Sequence, residues 1–176
     1  MKSETDRKSE PKRAYRQGAR AEAAAKTADA IVVACTNFLA TEWYDDISLE
    51  RLARAANVTV PTVLRHFGSK EGVLQAVGER FQVDAMARRA ITPGDIDGAI
   101  GVVVEDYEIG GDMVMQFLNQ EGRIPGIRAI TTIGRRGHRA WVREIFAPWH
   151  DGLSPEEEAW MLDGLVTSLD LYVRQV

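Results

Sequence analysis

The sequence has little of what most enzymes are built from. A single cysteine, Cys35, rules out any disulfide within the chain. Three histidines, His66, His138 and His150, lie scattered, with no cysteine or carboxylate at metal-ligand spacing. There is no glycine-rich phosphate loop, no nucleophile elbow and no paired-carboxylate arrangement, so no enzyme, cofactor or metal is expected. No run is apolar enough to span a bilayer, and the charged N-terminus lacks the hydrophobic core of a signal peptide. A cytoplasmic protein without membrane contact is the simple expectation. Alternating strand patterns and internal repeats are missing as well. Nor is the chain coated in basic residues: 22 Lys/Arg stand against 26 Asp/Glu, for a net charge of −4.

What is present is helical. Hydrophobic residues make up 45% of 176 positions, enough for the packed core of one or two small domains, and they recur at helical spacing. The charge is unevenly spread. Residues 1–26 carry eight Lys/Arg against four Asp/Glu, whereas residues 83–176 carry nine against fifteen. The basic end is therefore the one that suits a phosphate backbone.

Next to that end lies Ile47 to Leu74, which reads as two short helices, a tight turn between them and a third helix following at once. Ser48 is an N-cap, flanked by Ile47 and Leu52 at hydrophobic-staple positions. Leu49, Leu52, Ala53 and Ala56 make a narrow apolar stripe, and Asn57 tolerates the left-handed backbone that ends the helix. Thr59 can cap the next helix, with Pro61 in its first turn, where a missing N–H costs little. Val58, Val63 and Phe67 anchor that helix inward, leaving Val60, Thr62, Arg65 and His66 to face a partner. Gly68 breaks the chain, and Ser69 with Glu71 opens another helix. This is the layout of a helix-turn-helix, which sets one helix in the major groove of DNA.

The order and gaps of particular residues go further. The helix Ala28 to Ala40 with Phe38–Leu39 is followed by Ile47–Ser48–Leu49, Leu52–Ala53, Ala56, Val58–Thr59 and Thr62, then by His66–Phe67–Gly68–Ser69–Lys70–Glu71. This pattern resembles the TetR family of bacterial transcriptional regulators, firmly from Ala28 to Val77 and more loosely beyond. The resemblance implies an all-α homodimer, with a three-helix DNA-binding head and a helical ligand-binding and dimerisation body. It also implies a repressor of a pseudo-palindromic operator on double-stranded DNA, released by a small-molecule effector. By matching positions, Thr59, Val60, Pro61, Thr62, Arg65 and His66 fall on or beside the recognition helix, and Ser48 and Lys70 meet phosphates. Asn57 stands where the family has Gly, Leu64 where an aromatic touches the DNA backbone, and Pro61 where a small residue is usual. An altered operator preference is the expectation. A helical adaptor that keeps the helix-turn-helix but binds protein is the alternative.

The chain divides accordingly into a mobile basic tail (1–18), the head (19–68) and a helical regulatory and dimerisation body (69–176). Within the tail, Arg7, Lys8, Lys12, Arg13 and Arg16 could reach phosphates or a minor groove, or simply be solvated. Helices are expected from Arg20 to Thr41, from Lys70 to Ala90, and from Asp95 to Glu108 with Ile96, Ile100, Val103 and Tyr107 inward. Gly110–Gly111 reads as punctuation before a short helix capped by Asp112. Pro125 opens a longer helix that closes at Pro148. Ser154–Pro155–Glu156–Glu157 starts a last one, with Leu162, Leu165, Val166, Leu169 and Tyr172 inward. Relative to the family, the chain stops after what reads as the first of two dimerising helices. Cys35, with Ile31, Phe38 and Leu39, belongs on a buried stripe. Tyr107, Met113, Phe117, His138 and Trp141 are candidates to line a ligand cavity, with Met115, Phe146 and Trp160 beside them; plain core is the ordinary alternative. Arg135, Arg139 and Arg143 form a basic strip, either for an anionic effector or paired at the surface.

Overall fold

The computed structural model describes the backbone of residues 10–170 and the side chains of residues 18–170. Seven α-helices appear among the described residues: α1 (Glu10–Leu39), α2 (Leu49–Ala55), α3 (Val60–Phe67), α4 (Lys70–Arg88), α5 (Ile96–Gln120), α6 (Pro125–Ile145) and α7 (Pro155–Ser168). No strand occurs among them, and the fold is all-α.

Local chemistry sets most helix ends. Ser48 accepts from the Arg51 N–H, Ser69 from Gly72 and Asp95 from Gly98, so each satisfies an otherwise orphaned donor of a first turn. Ser154 and Glu157 close a full capping box at α7. Asn57 is the one non-glycine residue with positive φ among those described, at 54°, and it ends α2 as its short polar side chain permits. Thr59 behaves differently from expectation. It occupies the N-cap of α3 without a capping bond, because its hydroxyl pairs with that of Thr62 at 3.0 Å.

Two boundaries differ from the sequence reading. Helix α1 already begins at Glu10, within the expected tail; Arg7 and Lys8 lie outside the described residues. Tyr172, expected to continue the inward stripe of α7, is also outside them. Helix α5 is continuous through Gly110–Gly111. Gly110 is not punctuation but a contact point: a Cβ there would stand 2.7 Å from the Phe81 ring of α4. The buried stripe of α5 runs Ala99, Val103, Asp106, Gly110, Met113, Phe117, Gln120, which leaves Ile100 exposed instead of inward.

Head and body share one interior. Ile31, Cys35 and Leu39 of α1, Leu52 of α2, Val63 of α3 and Val73, Leu74 and Val77 of α4 pack in one cluster with Met113, Phe117 and Ile127 of α5 and α6. Ile47 and Leu52, the staple pair, are both within it and 1% exposed or less. A second cluster joins α5, α6 and α7 through Ala99, Val103, Trp141, Val142, Ile145 and Leu162. Each large side chain fully buried this way contributes roughly 1.5–3 kcal/mol. Burial pushes the Cys35 thiol up to about 12, so it stays protonated and serves as a small apolar filler.

Polar bonds fasten the same seam. The Gln120 side chain, fully buried at the end of α5, accepts the Tyr44 backbone N–H at 2.7 Å and donates to the Gln116 carbonyl. Arg123 reaches Asp45 at 2.6 Å just beyond it. The end of α5 is thus docked on the turn between α1 and α2, Tyr44–Asp46, which precedes the helix-turn-helix.

Candidate functional site

Helix α3 presents Thr59, Pro61, Leu64 and Arg65 as exposed side chains, with Thr62 and His66 half-buried beside them. Val63 is fully buried beneath and fixes the helix to the head core. Val60 is turned partly toward that core and offers less free surface than its sequence position suggests. Pro61 sits in the first turn, where α3 loses no hydrogen bond to it. Gly68, at φ 76°, then redirects the chain into α4.

The two phosphate candidates sit at helix starts. Ser48 already uses its oxygen to cap α2. Lys70 points its ammonium at the Tyr44 carbonyl, 2.5 Å away, and lies 4.0 Å over the Tyr44 ring. An ammonium has three donors, so one bond to Tyr44 leaves two for an anion. Arg51 is held: it grips Glu42 with both guanidinium nitrogens, at 2.6 and 2.9 Å, and stacks on Phe38. Arg54 and Arg65, in contrast, are exposed and have no partner among the described residues. Arg54 was not singled out from the sequence. Its signal is its place on the solvent side of the first helix of the motif, which in this architecture crosses the DNA backbone.

A cavity of about 490 Å³ opens between α4, α5 and α6. Tyr107, Phe117, His138 and Trp141 all line it. Met113 does not: it lies on the α5 stripe that faces the head core, 4% exposed. Trp160 is 77% exposed on α7, and Phe146 packs in the second cluster, so neither lines the cavity. The basic strip on α6 is spoken for, with Arg135 on Glu121, Arg139 on Asp163 and Arg143 on Glu158.

The sequence reading missed the polar hub of this cavity. Asp106 is 5% exposed and accepts from Arg88 at 2.5 Å and from Arg89 at 2.6 Å, which ties the end of α4 to α5. Arg89 also stacks 5.1 Å from the Trp141 ring, and its carbonyl accepts the Trp141 indole N–H at 3.0 Å. Its Nη1 lies 3.3 Å from His138 Nδ1, a geometry that makes Nδ1 the acceptor and puts the proton on Nε2. Burial first, then the Arg89 charge, lowers the His138 pKa below its ordinary 6.5. The Val166 carbonyl favours the protonated ring, but no well-formed hydrogen bond reaches Nε2. Tyr107 donates to the Leu169 carbonyl, and burial pushes its phenol up to about 12.

Residues 31–77 match the family model for bacterial regulatory proteins of the tetR family, a span that covers the end of α1 through the first half of α4. Those residues form a tetR-type DNA-binding head. A head of this kind is found in bacterial regulatory proteins of the tetR family. No curated protein matches it. Among solved structures, Salmonella enterica GusR is similar in fold at 22% identity and a TM-score of 0.63, over 82% of each chain. A transcriptional regulator of the TetR family from Vibrio parahaemolyticus aligns at 21% identity and a TM-score of 0.34, over 84% of this chain and 66% of that one. No described helix is long and apolar enough to cross a membrane.

Proposed function

We propose that the protein is a homodimeric repressor whose two α3 helices read a pseudo-palindromic operator, and that a small molecule in the α4–α5–α6 cavity releases it. Phe117 carries this reading: it lines the cavity and is also part of the core that holds α1, α2 and α3. One helical turn further on, Gln120 grips the turn before the helix-turn-helix. A ligand that displaces Phe117 therefore acts on the packing and the hydrogen bond that orient the head. Release follows if the ligand binds one head orientation more tightly than the other.

On DNA, residues 19–68 act as the head and residues 69–176 as the regulatory and dimerising body. The two copies of α3 would stand about 34 Å apart, in successive major grooves. Arg65 reaches a guanine edge or a phosphate, with Thr59, Thr62 and His66 beside it. Pro61 and the exposed part of Val60 offer apolar contact to a thymine methyl. Ser48, Lys70 and Arg54 meet the backbone.

The test is in vitro selection of random duplex DNA on the purified full chain, with sequencing of the retained pool. A two-fold symmetric motif is the expected result. A single half-site would overturn the dimeric reading, and no enrichment even at low salt would overturn DNA reading by this face.

A further inference from the structure

Four observations narrow what the cavity can hold. The first is charge closure. Arg89 and Asp106 line the cavity as an ion pair with Arg88 behind it, and Asp170 lines the same wall, close enough for its charge to act on Tyr107 and His138; Arg135, held by Glu121, and Glu144 lie exposed at the rim. Among the described residues, the inner part of the wall with Arg88 behind it thus sets two guanidinium groups against two carboxylates. A charged ligand seated in the inner part, away from Arg135 and Glu144 at the rim, would find no surplus counter-charge there, and an uncompensated charge in a dry site is strongly disfavoured. The second is a free amide. Gln82 of α4 lines the cavity, is half-buried and makes no hydrogen bond to any described residue. It offers a donor and an acceptor side by side. The third is a floor without side chains: Gly134 and Gly137, one turn apart on α6, line the cavity, and the Gln82 amide lies over them, 3.7 and 3.8 Å from where their Cβ atoms would be. The absence of side chains there leaves room for the Gln82 amide to lie against α6. The fourth is the remaining wall, which includes the rings of Phe81, Tyr107, Phe117 and Trp141.

We infer that the cavity selects a neutral, flat aromatic molecule whose polar edge pairs with the Gln82 amide; the inference rests on the cavity being the effector site. The rings take the faces of the ligand, and Gln82, seated on the glycines of α6, takes its edge. The two arginines hold the wall closed and make no direct bond to the ligand.

The test uses three probes on one scaffold: 2-naphthamide, 2-naphthoic acid and 2-(aminomethyl)naphthalene, which are neutral, anionic and cationic at pH 7. Binding to the DNA-free full chain is read by calorimetry. The amide is expected to bind at least about tenfold more tightly than the acid or the amine. Gln82→Leu should weaken the amide about tenfold, and Gln82→Glu should move the preference to the amine. A tighter acid or amine, equal binding of all three, or indifference to Gln82→Glu would overturn the inference. So would binding of none of them at concentrations up to about 1 mM. Release is read separately, by fluorescence anisotropy of the selected duplex. If 2-naphthamide binds but leaves DNA bound, the ligand class stands and the release reading falls. If a charged probe binds best and frees the DNA, release stands and the ligand class falls.

Discussion

Replacing Gln120 by Met isolates the bond that joins body to head. Met has a similar length, is flexible enough to fill the same irregular space and creates little cavity. What disappears is the acceptor of the Tyr44 N–H, 2.7 Å away, in a site where Gln120 is 0% and Tyr44 5% exposed. The Tyr44 carbonyl keeps its bond from Lys70, and the Gln116 carbonyl keeps its helical bond, so a single buried donor is orphaned. Such an orphan costs about 1–3 kcal/mol. For 176 residues at roughly 2.1 cal/mol/K each, the unfolding entropy is about 0.37 kcal/mol/K, so a loss of about 2 kcal/mol lowers the midpoint by about 5 °C. Urea unfolding at 25 °C, followed by far-UV circular dichroism, measures this directly. The wild type should give one transition, because head and body share a core. A destabilisation of Gln120→Met below about 0.5 kcal/mol would mean that water reaches the Tyr44 N–H, and the docking argument would fail.

Lys70→Gln keeps a donor for the Tyr44 carbonyl but removes the charge; it should reduce the salt slope of DNA binding by about 1 and weaken all sequences alike, as read in a salt titration. An unchanged slope would take Lys70 off the phosphate backbone. His138 has a folded pKa below its ordinary 6.5, so below pH 6.5 the unfolded chain takes up a proton that the folded chain resists. Stability should therefore fall as the pH drops from 6.5 through the folded pKa, and His138→Gln should flatten that part of the curve; parallel curves in denaturant titrations would refute it. On α5, Gly110→Leu must displace the Phe81 ring and should cost about 1–3 kcal/mol, whereas Gly101→Ala, with open space around it, should gain up to about 1 kcal/mol. Equal effects in thermal melts would show that Gly110 is not a close approach.

The head was legible because its signals are local. Ser48, Asn57, Pro61, Gly68 and Ser69 each act within a turn or two of chain, and each has the backbone role that its chemistry implies. The body was less legible because its decisive contacts join residues far apart in sequence. Asp106 and Gln120 occupy buried positions in an otherwise apolar or small stripe of α5, a pattern that announces a buried polar partner. Placing a break at Gly110–Gly111 hid that stripe, and Arg88, Arg89 and Tyr44 went unnoticed as the partners. Four of the five cavity candidates do meet around one space. Met113 misses it because helical spacing identifies an inward face without saying which neighbour that face meets.

The seam formed by Met113, Phe117 and Ile127 also bears on how such regulators can be recombined. Joining residues 1–68 of this chain to a foreign body would transplant half an interior, with Tyr44 left to seek a new acceptor and Leu52 and Val63 a new lining. Ancestral shuffling of readers and sensors, and any laboratory version of it, must therefore carry these seam positions along with the head, or repack them, before a hybrid can answer to its new signal.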